Sequence, residues 1–110
     1  MKQGDIYDSY LDPVKGSEQG GRRPVLIISG NALNKFANTV IVCPLTTSIK
    51  NYQGAPILEP SAENGLSKTS EVLVVYTRSI DKSRLKNLIG TVDLKVVEQA
   101  KKSLNDILYY

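Results

Sequence analysis

Apolar positions along this chain come in short runs separated by polar, turn-forming segments. That spacing predicts a small β protein. Residues 5–11 place Ile6, Tyr7, Tyr10 and Leu11 in a first strand. Residues 24–29 are almost continuously apolar, as expected of a buried strand. The β-branched run 39–45 is the next strand. Residues 55–58 lie beside Pro56 and Pro60, which marks a short strand at a sheet edge. Segment 71–80 begins with Val72-Leu73-Val74-Val75-Tyr76 and turns polar around Thr77 and Arg78, and residues 88–92 supply a short last strand.

The intervening segments carry turn chemistry. Residues 12–23 form a long polar loop with Gly16, Gly20 and Gly21, a length and composition that suit function better than mere connection. Asn31, Asn34 and Asn38 mark 30–38 as a turn, and Asn64-Gly65 does the same for 61–68. Asp81 is placed to cap one helical turn over 81–85. Only 93–108 reads as a convincing helix, with Asp93 as N-cap. Val97, Ala100, Leu104, Ile107 and Leu108 make its apolar stripe, opposite Lys95, Glu98, Lys101, Lys102 and Asn105. The pattern therefore predicts a mainly β fold with a C-terminal helix, a small twisted barrel or half-barrel capped by that helix.

At 110 residues the chain is expected to form one domain with a single core, without disulfide or metal staples. The net charge of +3 is compatible with a phosphate-bearing partner without demanding one. With no histidine and one cysteine, Cys43, the chain lacks a Ser-His-Asp triad and the usual zinc ligand sets. Cys43 lies in an apolar run and is expected to be a buried side chain. The N-terminal residues lack a signal-peptide apolar core and no stretch approaches a membrane span, so a cytoplasmic protein with no membrane partner is expected.

Two segments carry candidate chemistry. Gly16-Ser17-Glu18-Gln19-Gly20-Gly21-Arg22-Arg23-Pro24 joins a flexible backbone to two fixed positive charges. Arginine offers a planar fork of donors matched to phosphate oxygens, and the glycines allow close backbone approach. Thr46, Thr47 and Ser48 end the 39–45 run with hydroxyls able to donate to a phosphate or a developing oxyanion. Taken singly, each feature is ordinary: loop arginines aid solubility, and hydroxyls at strand ends satisfy local backbone groups.

Taken together, the segments resemble the MazF/PemK family of toxin endoribonucleases. The likeness rests on Gly4-Asp5-Ile6-Tyr7, Asp12-Pro13, Gly16-Ser17-Glu18-Gln19-Gly20-Gly21 and Arg23-Pro24-Val25-Leu26-Ile27-Ile28-Ser29. It continues through Thr39-Val40-Ile41-Val42, Pro44-Leu45-Thr46, Gly65-Leu66-Ser67-Lys68 and Arg78-Ser79-Ile80-Asp81-Lys82-Ser83-Arg84-Leu85, in family order. The resemblance implies an SH3-like, partly open barrel acting as a homodimer. It also implies cofactor-free, metal-independent cleavage of single-stranded RNA, neutralised by a cognate antitoxin with an acidic, partly disordered tail. By that resemblance the family's key arginine falls on Arg23 and its key threonine on Thr46, with Glu18 a further candidate proton acceptor. Ser17, Gln19, Gly20, Gly21, Arg22, Thr47, Tyr76 and Arg78 are the expected RNA contacts. The chain departs from the family at Tyr76, where relatives often carry Gln, and in its doubled arginine. Two other readings compete: a CcdB-like gyrase poison, which shares the fold, and a barrel that binds RNA or protein without catalysis.

Overall fold

A computed structural model describes residues 1–11 and 21–110. Among the described residues, seven strands and two α-helices follow in the order β1 (Asp5–Tyr10), β2 (Arg22–Ile27), α1 (Asn31–Phe36), β3 (Thr39–Thr46), β4 (Ile57–Leu58), β5 (Ser70–Val72), β6 (Arg78–Asp81), β7 (Leu85–Thr91) and α2 (Leu94–Tyr109). The strands hydrogen-bond in the order β4-β5-β3-β2-β1-β7, with β6 also paired to β3. β3 is the pivot: it pairs with β2 on one edge and with β6 and then β5 on the other. Register shifts between β1 and β7 help the sheet curl into a half-barrel.

Strand alternation sorts side chains into two buried clusters. Ile6, Leu26, Ile28, Cys43 and Leu45 lie in one, with Ala100 of α2. Val25, Ile27, Val40, Val42, Ile80 and Leu85 form the other. Neighbours along β2 and β3 thus point to opposite sides, as the two-residue period of a strand requires.

The expected strands are present, and β4 lies at the edge that its flanking prolines predicted. Asp81 and Asp93 cap as expected, accepting from the N–H groups of Ser83 and Lys95, each at 2.8 Å. Gly65 takes φ +66, and a Cβ there would collide with the carbonyl of Ile89, so this turn requires glycine.

Three expectations need correction, and one run gains detail. Residues 30–38 are not only a turn, because α1 forms there. Asn34 is buried in it, with its amide donating to the Ser29 carbonyl at 2.8 Å. The run 71–80, expected only as an apolar stretch that turns polar, is divided by a 3-10 turn at Val74–Tyr76 that separates β5 from β6. The arginine pair does not end a loop, since Arg22 and Arg23 open β2. On α2 the buried residues are Val97, Ala100 and Ser103, while Ile107 and Leu108 are exposed. The helix turns its last apolar residues away from the sheet, and the small Ser103 packs near Gly54.

Candidate active site

The Leu11 N–H donates to the Gly21 carbonyl at 3.0 Å, closing the stem of segment 12–20. Gly21 has φ +70, and β2 starts directly after it. The β1–β2 ladder sets Tyr10 opposite Arg22 and Ser9 opposite Arg23. The β2–β3 ladder runs from Ile27–Val42 to Val25–Pro44, so Arg23 and Thr46 both lie just beyond its last pair. Arg23 is half-buried and its guanidinium donates to the Leu45 carbonyl at 3.4 Å. Thr46 is half-buried at the end of β3, and its Oγ1 accepts the Ser48 N–H at 3.1 Å. That bond uses a lone pair and leaves the hydroxyl hydrogen for donation. Thr47 follows, exposed.

Arg78 joins this end of the sheet from another strand. It stands opposite Val42 on β6, and its guanidinium donates to the Leu11 carbonyl at 3.2 Å, at the same stem. Two arginines and a hydroxyl therefore flank the stem. Such a set can hold a phosphate and stabilise added negative charge on it.

Arg22 stands apart. Strand alternation sends it to the other side of β2, where Nε donates to Asp8 at 2.6 Å and the guanidinium lies 5.6 Å from the Tyr10 ring centre. The hydrogen bond to Asp8 raises the guanidinium's pKa further. Tyr76 ends the 3-10 turn half-buried, near Tyr52. The neighbouring Tyr76, ahead of burial, pushes the Tyr52 phenol up. Ser17, Glu18, Gln19 and Gly20 lie outside the described residues.

Cys43 is no nucleophile. It is fully buried, and burial pushes its thiol up to about 11. The Thr77 hydroxyl donates to the Val74 carbonyl at 2.5 Å, so in the 3.2 Å contact between Cys43 and Thr77 the thiol is the donor. A cavity of about 550 Å³ lined by Leu58, Asn64, Thr91 and Val96 includes none of the candidate residues.

Glu71 was not foreseen. It is fully buried and stands opposite Thr46 in the β3–β5 ladder. Its Oε1 accepts the N–H groups of Lys50 (2.6 Å) and Asn51 (2.9 Å), and its Oε2 accepts that of Tyr52 (2.9 Å). The available signal was a lone carboxylate heading the apolar run Val72–Val75.

Fold and site together define a small half-barrel protein with an arginine–hydroxyl site at the stem of a glycine-rich segment. Residues 2–108 match the family described as PemK-like, MazF-like toxin of type II toxin-antitoxin system, and the chain belongs to that family. It is 37% identical over 105 residues to endoribonuclease EndoA of Bacillus subtilis, covering 94% of this chain and 90% of the relative. It is 36% identical over 106 residues to endoribonuclease MazF of Staphylococcus saprophyticus, covering 96% and 88%. Among solved structures, MazF (Form-I) of Deinococcus radiodurans superposes with a TM-score of 0.85 at 29% identity, covering 100% of this chain and 97% of that one. A MazE–MazF structure (Form-II) from the same organism gives 0.76 at 30% identity, covering 98% and 95%. The expected mainly β half-barrel with a C-terminal helix is thus the fold observed. Among the described residues no helix is long and apolar enough to cross a membrane.

Proposed function

We propose that this member of the toxin family is a cytoplasmic endoribonuclease that cuts single-stranded RNA at a short sequence without a metal ion. The 2′-OH of the RNA attacks the adjacent phosphorus, and the bond to the 5′ oxygen of the next nucleotide breaks. The products are a 2′,3′-cyclic phosphate and a 5′-OH end. Because the nucleophile belongs to the substrate, the chain needs neither an activated serine nor a cysteine, and DNA is excluded. Arg23 holds the phosphate and offsets the charge that builds on it. Thr46 donates a hydrogen bond to the same group. Glu18 is the candidate proton acceptor, and Arg78, Ser17 and Gln19 are candidate base readers. The reading includes a homodimer and an antitoxin whose acidic tail covers the site, in keeping with the MazE–MazF complexes among the structural neighbours.

What supports this reading is the reach of the Arg23 guanidinium to the Leu45 carbonyl at 3.4 Å, one residue before Thr46, beside the Leu11–Gly21 stem. The test is digestion of a long single-stranded RNA in EDTA, with ends mapped by primer extension. Discrete cuts bearing 5′-OH ends, lost in Arg23→Ala and Thr46→Ala, are expected. Intact RNA with a folded wild-type protein overturns the reading and directs attention to gyrase binding.

A further inference from the structure

We infer that Glu71 is a positioning residue for the reaction: by closing the turn that follows β3, it fixes the direction in which the Thr46 hydroxyl donates. This inference rests on the proposed ribonuclease reading and deepens it at Thr46.

One residue clamps this turn at both ends. Glu71 pairs with Thr46 in the β3–β5 ladder, which sets its backbone beside the near end. Its carboxylate reaches the far end, where Oε1 accepts the N–H groups of Lys50 and Asn51 and Oε2 that of Tyr52, at 2.6–2.9 Å. Only Thr47, Ser48 and Ile49 lie between the two ends. Burying a carboxylate is unfavourable unless its oxygens are well hydrogen-bonded, and both oxygens of the fully buried Glu71 are used. Charged acceptors give the stronger class of hydrogen bond, so the segment is held more firmly than a neutral side chain would hold it. Lys50, Asn51 and Tyr52 are exposed, so burial of their own side chains does little to hold them. Asn51 also sits at φ +57, the only non-glycine residue at positive φ among the described residues. The carboxylate thus stabilises a backbone conformation that is otherwise disfavoured.

The link from the clamp to the chemistry is the Ser48 N–H, which lies inside the closed turn and donates to Thr46 Oγ1 at 3.1 Å. A threonine side chain has few χ1 wells, and this bond selects one of them. It also occupies a lone pair of Oγ1, which narrows where the hydroxyl hydrogen can point. A donor stabilises a transition state only when it is aimed beforehand at the place where charge develops. With the turn released from Glu71, the Ser48 N–H is free to leave Oγ1, and the hydroxyl loses its fixed aim. Arg23 takes its contact from the Leu45 carbonyl, which precedes the turn. Phosphate holding therefore stays in place, and the loss falls on kcat rather than on KM.

The test compares wild type, Glu71→Gln, Thr46→Ala and the double variant in cleavage of a short oligoribonucleotide carrying the mapped sequence. Glutamine keeps the size of the side chain but turns an amide donor toward backbone donors. The expected result for Glu71→Gln is a kcat lowered roughly ten- to a hundred-fold, as a displacement of a reacting group by about 1 Å implies. Its KM stays within about twofold of wild type. In the Thr46→Ala background the same substitution costs no more than about twofold in kcat, because the group it positions is gone. By NMR the Ser48 amide and Thr46 methyl signals move in Glu71→Gln. A loss of kcat as large without Thr46 as with it shows a purely structural tether and overturns the inference, as does a folded Glu71→Gln with wild-type kcat. Should Glu71→Gln fail to fold, Ser48→Pro decides, since it deletes the N–H given to Thr46 at an exposed position: wild-type kcat there overturns the inference equally. Wild-type protein that cuts no RNA overturns the proposed function itself, an outcome distinct from cutting that depends on Thr46 and ignores Glu71.

Discussion

Arg22 and Arg23 are the same side chain at adjacent positions of one strand, yet they occupy different environments. Arg23 shares its side of β2 with Val25 and Ile27, is half-buried, and reaches the Leu45 carbonyl beside Thr46. Arg22 shares its side with Pro24 and Leu26, is exposed, and pairs with Asp8 and the Tyr10 ring. Only the two-residue period of the strand separates them. A charge held where solvent is partly excluded acts strongly on a bound phosphate, whereas an exposed charge already matched by a carboxylate acts weakly. Position on the pleat, not residue type, assigns the role.

The largest expected effect is on rate. Arg23→Ala and Thr46→Ala each remove one donor to the reacting phosphate and should lower kcat by about a hundred- to a thousand-fold. Circular dichroism and thermal melts should remain near wild type, because neither side chain belongs to a buried cluster. Single-turnover cleavage of a short oligoribonucleotide measures this directly. If Arg22→Ala proves as damaging as Arg23→Ala at every salt concentration, the comparison between the two sides of β2 is wrong.

The next effect lies in the helix-side cluster, at Cys43. Burial makes the folded thiol hold its proton up to about 11, above its ordinary value of 9.0. The unfolded chain therefore loses that proton first as pH rises. The stabilising contribution is fully present below pH 9 and is lost progressively between 9 and 11. The loss amounts to about 2–3 kcal/mol at two units of separation. Denaturant melts of wild type and Cys43→Ala over this range isolate the contribution, since the lysines and tyrosines titrate in both. Parallel pH slopes for the two proteins would show that Cys43 is more open to water than the fold indicates. Below pH 9 thiol reagents should leave RNA cleavage intact.

How legible these regions were follows from how local their causes are. β2 and β3 could be read because their apolar runs need nothing distant to explain them. Asp81 and Asp93 could be read as caps because their partners lie two residues away. The arginine pair was visible as chemistry, but its division was not: the start of β2 at Arg22 depends on pairing with Tyr10, a tertiary fact. α1 was hidden because Asn31 and Asn34 carry turn propensity, and their contacts with Gln3 and Ser29 are what make a helix there affordable. The break at Val74–Tyr76 falls inside an unbroken apolar run, so no periodicity marks it. Glu71 is the clearest case. Its partners lie some twenty positions earlier and are backbone N–H groups, which leave no trace in side-chain sequence. Thr46 and Arg78 were assigned by resemblance; in the structure Arg23 reaches the carbonyl just before Thr46, and Arg78 reaches that of Leu11.

The smallest expected effect tests the outer arginine itself. The Arg22–Asp8 pair is short, but the arginine side chain is 47% exposed, so solvent screens most of its Coulomb energy. A double-mutant cycle of Arg22→Ala and Asp8→Ala, read from denaturant midpoints, should give a coupling below about 1 kcal/mol. In cleavage assays Arg22→Ala should raise KM only about threefold at low salt and not at all at high salt, the behaviour of a peripheral phosphate contact. A coupling well above that bound would mean that the Asp8–Arg22–Tyr10 cluster is desolvated in the working protein, as it would be under a second copy or an antitoxin tail. A salt-independent loss of kcat would instead move Arg22 to the reacting phosphate, and the pleat would no longer divide the two arginines.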